Sequence, residues 1–130
     1  MSGKDLKNIK ALVIEDDEAS QRLVTKYLNI IGITHIVAVQ NGEEALQKLY
    51  LNTVNIIITD WCMPEMNGLD FFKEAKRQNL IEGIPVLMIS AENEKEKVIE
   101  ALKGGIRDYM VKPLELEPFK AKVSKLLKLE

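Results

Sequence analysis

Two stretches of this chain, Ile56-Ile57-Ile58 and Val86-Leu87-Met88-Ile89, are apolar at every position instead of at every second one. Successive side chains of a strand point to opposite faces, so an unbroken apolar run needs cover on both sides. That requirement points away from a half-solvated antiparallel sheet and toward a parallel sheet between helix layers, joined by right-handed crossovers. The chain supplies the helices. "KALVIE" (10–15) is followed by a helix-period stretch with Ala19, Leu23, Val24, Tyr27, Leu28 and Ile31 on one face. "ITHIVAV" (33–39) leads to "NGEEALQKLY", where Ala45, Leu46, Leu49 and Tyr50 are candidates for the core. "VNIIIT" (54–59) leads through Pro64 and Gly68 to Leu69, Phe72 and Ala75. "IPVLMIS" (84–90) leads to Val98, Ala101 and Leu102, with Gly104-Gly105 as a stop. "IRDYMV" (106–111) leads to a last helix with Pro118 near its first turn and Phe119, Val123, Leu126 and Leu127 inward. The pattern is α/β, a doubly wound (βα)5 unit, read as one domain over residues 1–130 with its core at about 9–128.

The bulk numbers remove several functions. Basic and acidic side chains number 18 and 20, a net charge of −2, so neither a nucleic acid nor a membrane surface is the expected partner. No apolar stretch approaches the ~18 residues of a membrane span, and the polar start "MSGKDLKNIK" does not read as a signal peptide. A single cysteine, Cys62, forms no internal disulfide, and the expected location is cytoplasmic.

In sheets of this kind ligands gather at the carboxyl ends of the strands, near the point where strand order reverses. The first strand ends in Glu15-Asp16-Asp17, the third in Asp60, the fourth in Ser90 and the fifth in Lys112, while the second ends in Val39-Gln40 with nothing ionisable. If the second strand lies outside the first, in the order 2-1-3-4-5, the other four ends converge. Glu15, Asp16 and Asp60 would then repel one another unless a cation were present, and an all-oxygen set favours Mg²⁺. Lys112 and the Ser90 hydroxyl could hold the oxygens of a phosphoryl group in transfer. A carboxylate could carry that group as an acyl phosphate, and Asp60 is the best placed.

Each residue also has a plainer reading. An acidic triple suits a helix N-terminus, Ser90 suits the cap of a helix beginning in "SAENEKEK", Tyr109 suits a core, and "ENEKEKVIE" suits an exposed helix face. Cys62 and His35 read as structural or incidental. The conjunction on four strand ends is what favours a site.

These residues resemble the receiver domain of two-component response regulators over essentially the whole chain. Glu15-Asp16, Asp60 with "MPEMNG", Ser90-Ala91 and Lys112-Pro113 match the pattern, as do the spacings of 44 residues from Asp16 to Asp60, 30 to Ser90 and 22 to Lys112. "DWCMPEMNGL", "PVLMISAE" and "DYMVKP" are further similar to single-domain chemotaxis regulators that bind the flagellar motor switch. The resemblance implies a flavodoxin-like, three-layer sandwich with strand order 2-1-3-4-5. It implies that a histidine kinase phosphorylates Asp60. Asp16, Asp60 and the backbone carbonyl of Cys62 would ligate Mg²⁺, with Glu15 acting through a metal-bound water. Lys112 would contact the phosphoryl group, Ser90 would turn toward it, and Tyr109 would swing inward behind. The Lys112-Pro113 peptide would be cis. Cys62 and Glu92, two residues past Asp60 and Ser90, would tune dephosphorylation. Val98, Tyr109 and Lys122 would face the partner, and a phosphatase is a further partner the family allows.

The departures, Glu15 for aspartate and Ser90 for threonine, are chemically conservative. A phosphohydrolase of the aspartyl type would need a second aspartate where Cys62 stands. A nucleotide-binding loop would need glycines where this chain has three carboxylates. The expected output is protein binding, with phosphorelay shuttle, hybrid-kinase receiver and phosphorylation-independent scaffold as alternatives. The chain would promote its own phosphoryl transfer and slow self-dephosphorylation without being a dedicated enzyme.

Overall fold

A computed structural model describes residues 6–63, 65–91 and 95–129. After a short 3-10 turn at Leu6–Asn8 the chain alternates strand and helix: β1 (Lys10–Ile14), α1 (Glu18–Ile31), β2 (His35–Val39), α2 (Gly42–Leu51), β3 (Ile56–Asp60), α3 (Gly68–Arg77), β4 (Val86–Ser90), α4 (Lys95–Lys103), β5 (Asp108–Val111) and α5 (Leu116–Leu127). All strand pairs are parallel, in the order β2-β1-β3-β4-β5. This is the doubly wound arrangement expected from the apolar runs.

Burial follows position in the sheet. Every residue of β3 and β4 is buried, as both-face cover requires, whereas the edge strands β2 and β5 are mostly half-exposed. Because strand side chains alternate, the strands feed two separate cores. Leu12, Ile14, Ile57 and Met88 pack with Ala45 and Leu49 of α2, Phe72 and Ala75 of α3, and Ala101 of α4. Ala11, Val13, Ile58 and Leu87 pack with Val24 and Leu28 of α1 and with Phe119, Val123 and Leu127 of α5. Phe119 is wholly buried and meets the Tyr27 ring at 5.9 Å. Truncating a ring so enclosed costs about 3–5 kcal/mol.

The helices start close behind the strands because side-chain caps are built into the connections. Asp17, Asn41 and Asn67 each accept a hydrogen bond from the backbone N–H three residues on, opening α1, α2 and α3. At the other end of α1 the chain turns through Gly32, whose φ of 116° lies in the left-handed region that a side chain would strain.

Three expected core positions lie elsewhere. Ala19, in the first turn of α1, is exposed. Tyr50 is 59% exposed and Leu102 47%. Tyr50 lies one residue, about 100° of helical rotation, beyond the buried stripe of Ala45, Leu46 and Leu49, and its hydroxyl bonds to Gln78. Leu102 likewise follows Ala101, the one buried residue of α4. Among the described residues no helix is long and apolar enough to cross a membrane.

Candidate functional site

The carboxyl ends of β1, β3, β4 and β5 meet at one edge of the sheet. Glu15 continues β1, its N–H bonded to the Val39 carbonyl at 3.0 Å, and it is buried. Asp60 is the last residue of β3 and Ser90 the last of β4, both buried. Lys112 follows β5, its N–H on the Ser90 carbonyl at 2.7 Å, and the Lys112-Pro113 peptide is cis.

The acidic triple separates into two roles. Asp17 is the cap of α1, accepting from the Ser20 N–H at 2.9 Å. Glu15, Asp16 and Asp60 each place a carboxylate oxygen within 4.8 Å of the others. Asp16 is exposed while Glu15 and Asp60 are buried, so the cluster opens to solvent on the Asp16 side.

Lys112 reaches back into this cluster. Its ammonium stands 3.1 Å from Glu15 Oε1, 3.7 Å from Asp60 Oδ1 and 3.4 Å from Ser20 Oγ. The other Glu15 oxygen accepts the Asp17 N–H at 3.1 Å. Asp60 Oδ1 also accepts the Trp61 N–H at 2.9 Å, and that N–H lies 2.9 Å from the Ile89 carbonyl as well. Burial, reinforced by the Glu15 charge, pushes the Asp60 carboxyl from an ordinary value of 3.8 up to about 7, against the pull of Lys112 and the Trp61 N–H. Burial disfavours the Lys112 ammonium, but the Asp60 and Glu15 charges outweigh it and its pKa rises overall.

The donor set is therefore three clustered carboxylates, one of them held against ionisation by desolvation and a like charge. A hard, oxygen-seeking divalent cation such as Mg²⁺ fits this set, because it offsets both the desolvation and the Glu15 repulsion that raise Asp60. The cluster then offers a carboxylate nucleophile beside a fixed ammonium, as phosphoryl transfer requires.

The remaining residues occupy the rim. The Ser90 hydroxyl bonds to the Tyr109 hydroxyl and lies 3.4 Å from the Ala91 carbonyl. The hydroxyl is thus engaged with β5, and residues 92–94, where a capping bond from Ser90 would fall, lie outside the described residues. Tyr109 is half-buried on an edge strand. Val98 on α4 and Lys122 on α5 are also half-buried, on the elements that flank β5. The Cys62 side chain is exposed, and His35 is exposed on the far edge strand. Glu92, and Pro64 of the "MPEMNG" run, lie outside the described residues.

Two contributors were not legible in advance. Gly68 packs so closely that a Cβ there would meet the Asp60 carbonyl at 2.4 Å, and its N–H bonds to the Trp61 carbonyl at 2.9 Å. Gly68 closes the "MPEMNG" run that carries the resemblance, but nothing in that run marks its close packing against the Asp60 carbonyl. Lys97, in the charged run read as an exposed helix face, is half-buried, with its ammonium 3.0 Å from Cys62 Sγ and 6.0 Å from the centre of the Trp61 ring. No pattern in "ENEKEKVIE" distinguishes it from the neighbouring Lys95.

A cavity of about 370 Å³ adjoins the cluster, lined by Glu15, Ser20, Leu23, Ile89, Lys112 and Leu114. A larger one, about 490 Å³, lies at the opposite end of the strands, beside Ile84, Pro85 and Asp108, and none of the residues assigned above lines it.

Comparison with known proteins follows the same lines. Residues 11–124 match the response regulator receiver domain. The chain is 38% identical over 120 residues to chemotaxis protein CheY1 of Helicobacter pylori strain J99, covering 92% of this chain and 97% of that one. It is 36% identical over 120 residues to a chemotaxis protein CheY homolog of Campylobacter jejuni, covering 92% of each. The receiver domain of Francisella response regulator 1452 superposes with a TM-score of 0.82 at 32% identity, over 94% of this chain and 98% of that one.

Proposed function

From the premise that this chain belongs to the response regulator receiver domain family, we propose that it is a phosphorylation-dependent signalling switch with Asp60 as its phosphoacceptor. The observation that carries this reading is the Glu15, Asp16 and Asp60 cluster within 4.8 Å, with Lys112 paired to two of its three members. A histidine kinase is the proposed donor. An Asp60 oxygen attacks phosphorus, the P–N bond of the phosphohistidine breaks, the imidazole leaves, and Asp60 carries the group as an acyl phosphate. Lys112 follows the charge from the carboxylate to the phosphoryl oxygens. The Ser90 hydroxyl exchanges Tyr109 for one of those oxygens, releasing the ring to settle behind it. Asp16, Asp60 and the Cys62 carbonyl would hold Mg²⁺, with Glu15 acting through a bound water, and the ion would neutralise charge gathering on the phosphoryl oxygens. Water later regenerates Asp60, and Cys62 and Glu92 govern that lifetime more than they govern loading.

The test is the intact mass after incubation with acetyl phosphate and Mg²⁺. One added phosphate on the wild-type chain and none on Asp60→Asn is the expected result. Uptake unchanged in Asp60→Asn would overturn the assignment.

The proposed readout is the face formed by α4, β5 and α5, with Val98, Tyr109 and Lys122 meeting a partner. The names of the relatives favour chemotaxis. With that role we propose a flagellar motor-switch protein as the partner, a phosphatase as a second, and the cytoplasm as the location. Residues 1–130 would form one receiver unit that signals through this face. A pull-down with a motor-switch N-terminal peptide, with and without Mg²⁺ and beryllofluoride, tests this. Capture that does not increase on activation would favour a phosphorelay shuttle or a hybrid-kinase receiver instead.

A further inference from the structure

Lys97 is the third residue of α4, on the helix that opens the proposed readout face. Its side chain is half-buried, whereas those of Lys95 and Glu96 beside it are exposed. The Lys97 ammonium lies 3.0 Å from Cys62 Sγ and 6.0 Å from the centre of the Trp61 ring, within the range of a cation–π contact. Both contacts fall on the loop that follows Asp60. Trp61 is itself tightly held: it is 4% exposed, its N–H is bonded to the Asp60 carboxylate and the Ile89 carbonyl, and its own carbonyl accepts from Gly68. From the Asp60 carboxylate to α4 there is thus one backbone hydrogen bond, one indole and one ammonium.

We infer that Lys97 is a positioning residue of the phosphoryl site, tying the first turn of α4 to the Trp61-Cys62 segment so that helix and acceptor geometry move together. It acts through Trp61 and Cys62, on a different element from Lys112, and it rests on the reading of Asp60 as phosphoacceptor. Its consequence falls on the loaded state. In hydrolysis, water adds to phosphorus, the P–O bond to Asp60 breaks, and the free carboxylate and inorganic phosphate are released. With Lys97 in place, Cys62 stays fixed beside that centre. Without it, the segment that bears Cys62 loosens and water reaches phosphorus more readily.

The experiment follows decay of the acyl phosphate by intact mass after loading with acetyl phosphate and Mg²⁺ and removal of the donor, in wild type, Lys97→Met, Lys97→Arg and Lys95→Met. Lys95→Met removes the same charge from the same turn at an exposed position. Lys97→Met is expected to shorten the half-life about two- to fivefold, the range of a contact of this kind, and Lys97→Arg to restore it. Lys95→Met should match wild type, and the emission of the single tryptophan, Trp61, should shift only in Lys97→Met. A Lys97→Met chain that loads, decays and emits like wild type would overturn the assignment while leaving Asp60 as acceptor. A wild-type chain that takes up no phosphate would overturn the acceptor reading, and this one with it.

Discussion

The Lys112 ammonium stands 3.1 Å from the Glu15 carboxylate, across 97 residues of chain, and joins the two ends of the fold inside the acidic cluster. Glu15 is 5% exposed at its side chain and Lys112 30%, so the pair is only partly screened by water. The segment around Glu15 offers its carboxylate the Asp17 N–H, and the ammonium comes from the far end of the chain. Each depends on the sheet to bring the other.

Removing the cation should therefore expose the repulsion it offsets. Lys112→Ala is expected to lose about 1–3 kcal/mol at neutral pH, below the full cost of breaking a wholly buried pair because the lysine is partly solvated. Added Mg²⁺ should restore more stability to the variant than it adds to wild type. Urea denaturation with and without the ion checks both statements, and equal gains would contradict them.

Asp60 carries a cost that depends on pH. Its carboxyl rises from 3.8 to about 7 in the folded chain, so the fold prefers the protonated form. That preference is complete below the unfolded value and is lost as pH rises through about 7. Asp60→Asn removes the ionisable group and should stabilise the chain by about 2 kcal/mol at pH 8, with the difference shrinking toward pH 4. Denaturation midpoints of the two proteins across that range, without divalent ions, provide the measurement.

At Gly68 the constraint is space. A methyl group there would meet the Asp60 carbonyl at 2.4 Å and the Met88 sulfur at 2.9 Å. Backbone cannot move aside as a flexible side chain can, so Gly68→Ala should destabilise the chain by about 1–3 kcal/mol. It should also slow loading by acetyl phosphate, because the displaced carbonyl belongs to the acceptor itself. Chemical denaturation and the initial rate of phosphate uptake report the two effects separately.

Tyr109→Phe isolates the hydroxyl pair at the rim. Ser90 is 1% exposed, and among the described hydrogen bonds it then keeps the 3.4 Å approach to the Ala91 carbonyl. A loss of about 1 kcal/mol in stability is expected, the net worth of one hydrogen bond. Phosphate uptake should persist, because the phenol does not touch Asp60 in the described hydrogen bonds. Loss of uptake in this variant would place Tyr109 in the chemistry and not in the readout.

Much of this was legible in the sequence for a local reason. Periodicity reports which faces of a segment are apolar, so the unbroken runs of β3 and β4 already required cover on both sides, and both strands are buried throughout. The convergence of Glu15, Asp16, Asp60, Ser90 and Lys112 followed once strand ends were read as one row. Tertiary structure decided what periodicity does not encode, namely where the tip of a side chain ends. It made Asp17 a helix cap beside two acids that join the cluster, turned Tyr50 outward next to a buried Leu49, and laid Lys97 across Trp61 while Lys95 stayed exposed. A long side chain can reach several neighbours from one backbone position, and which of them it meets is set only when another element, distant in the chain, packs alongside.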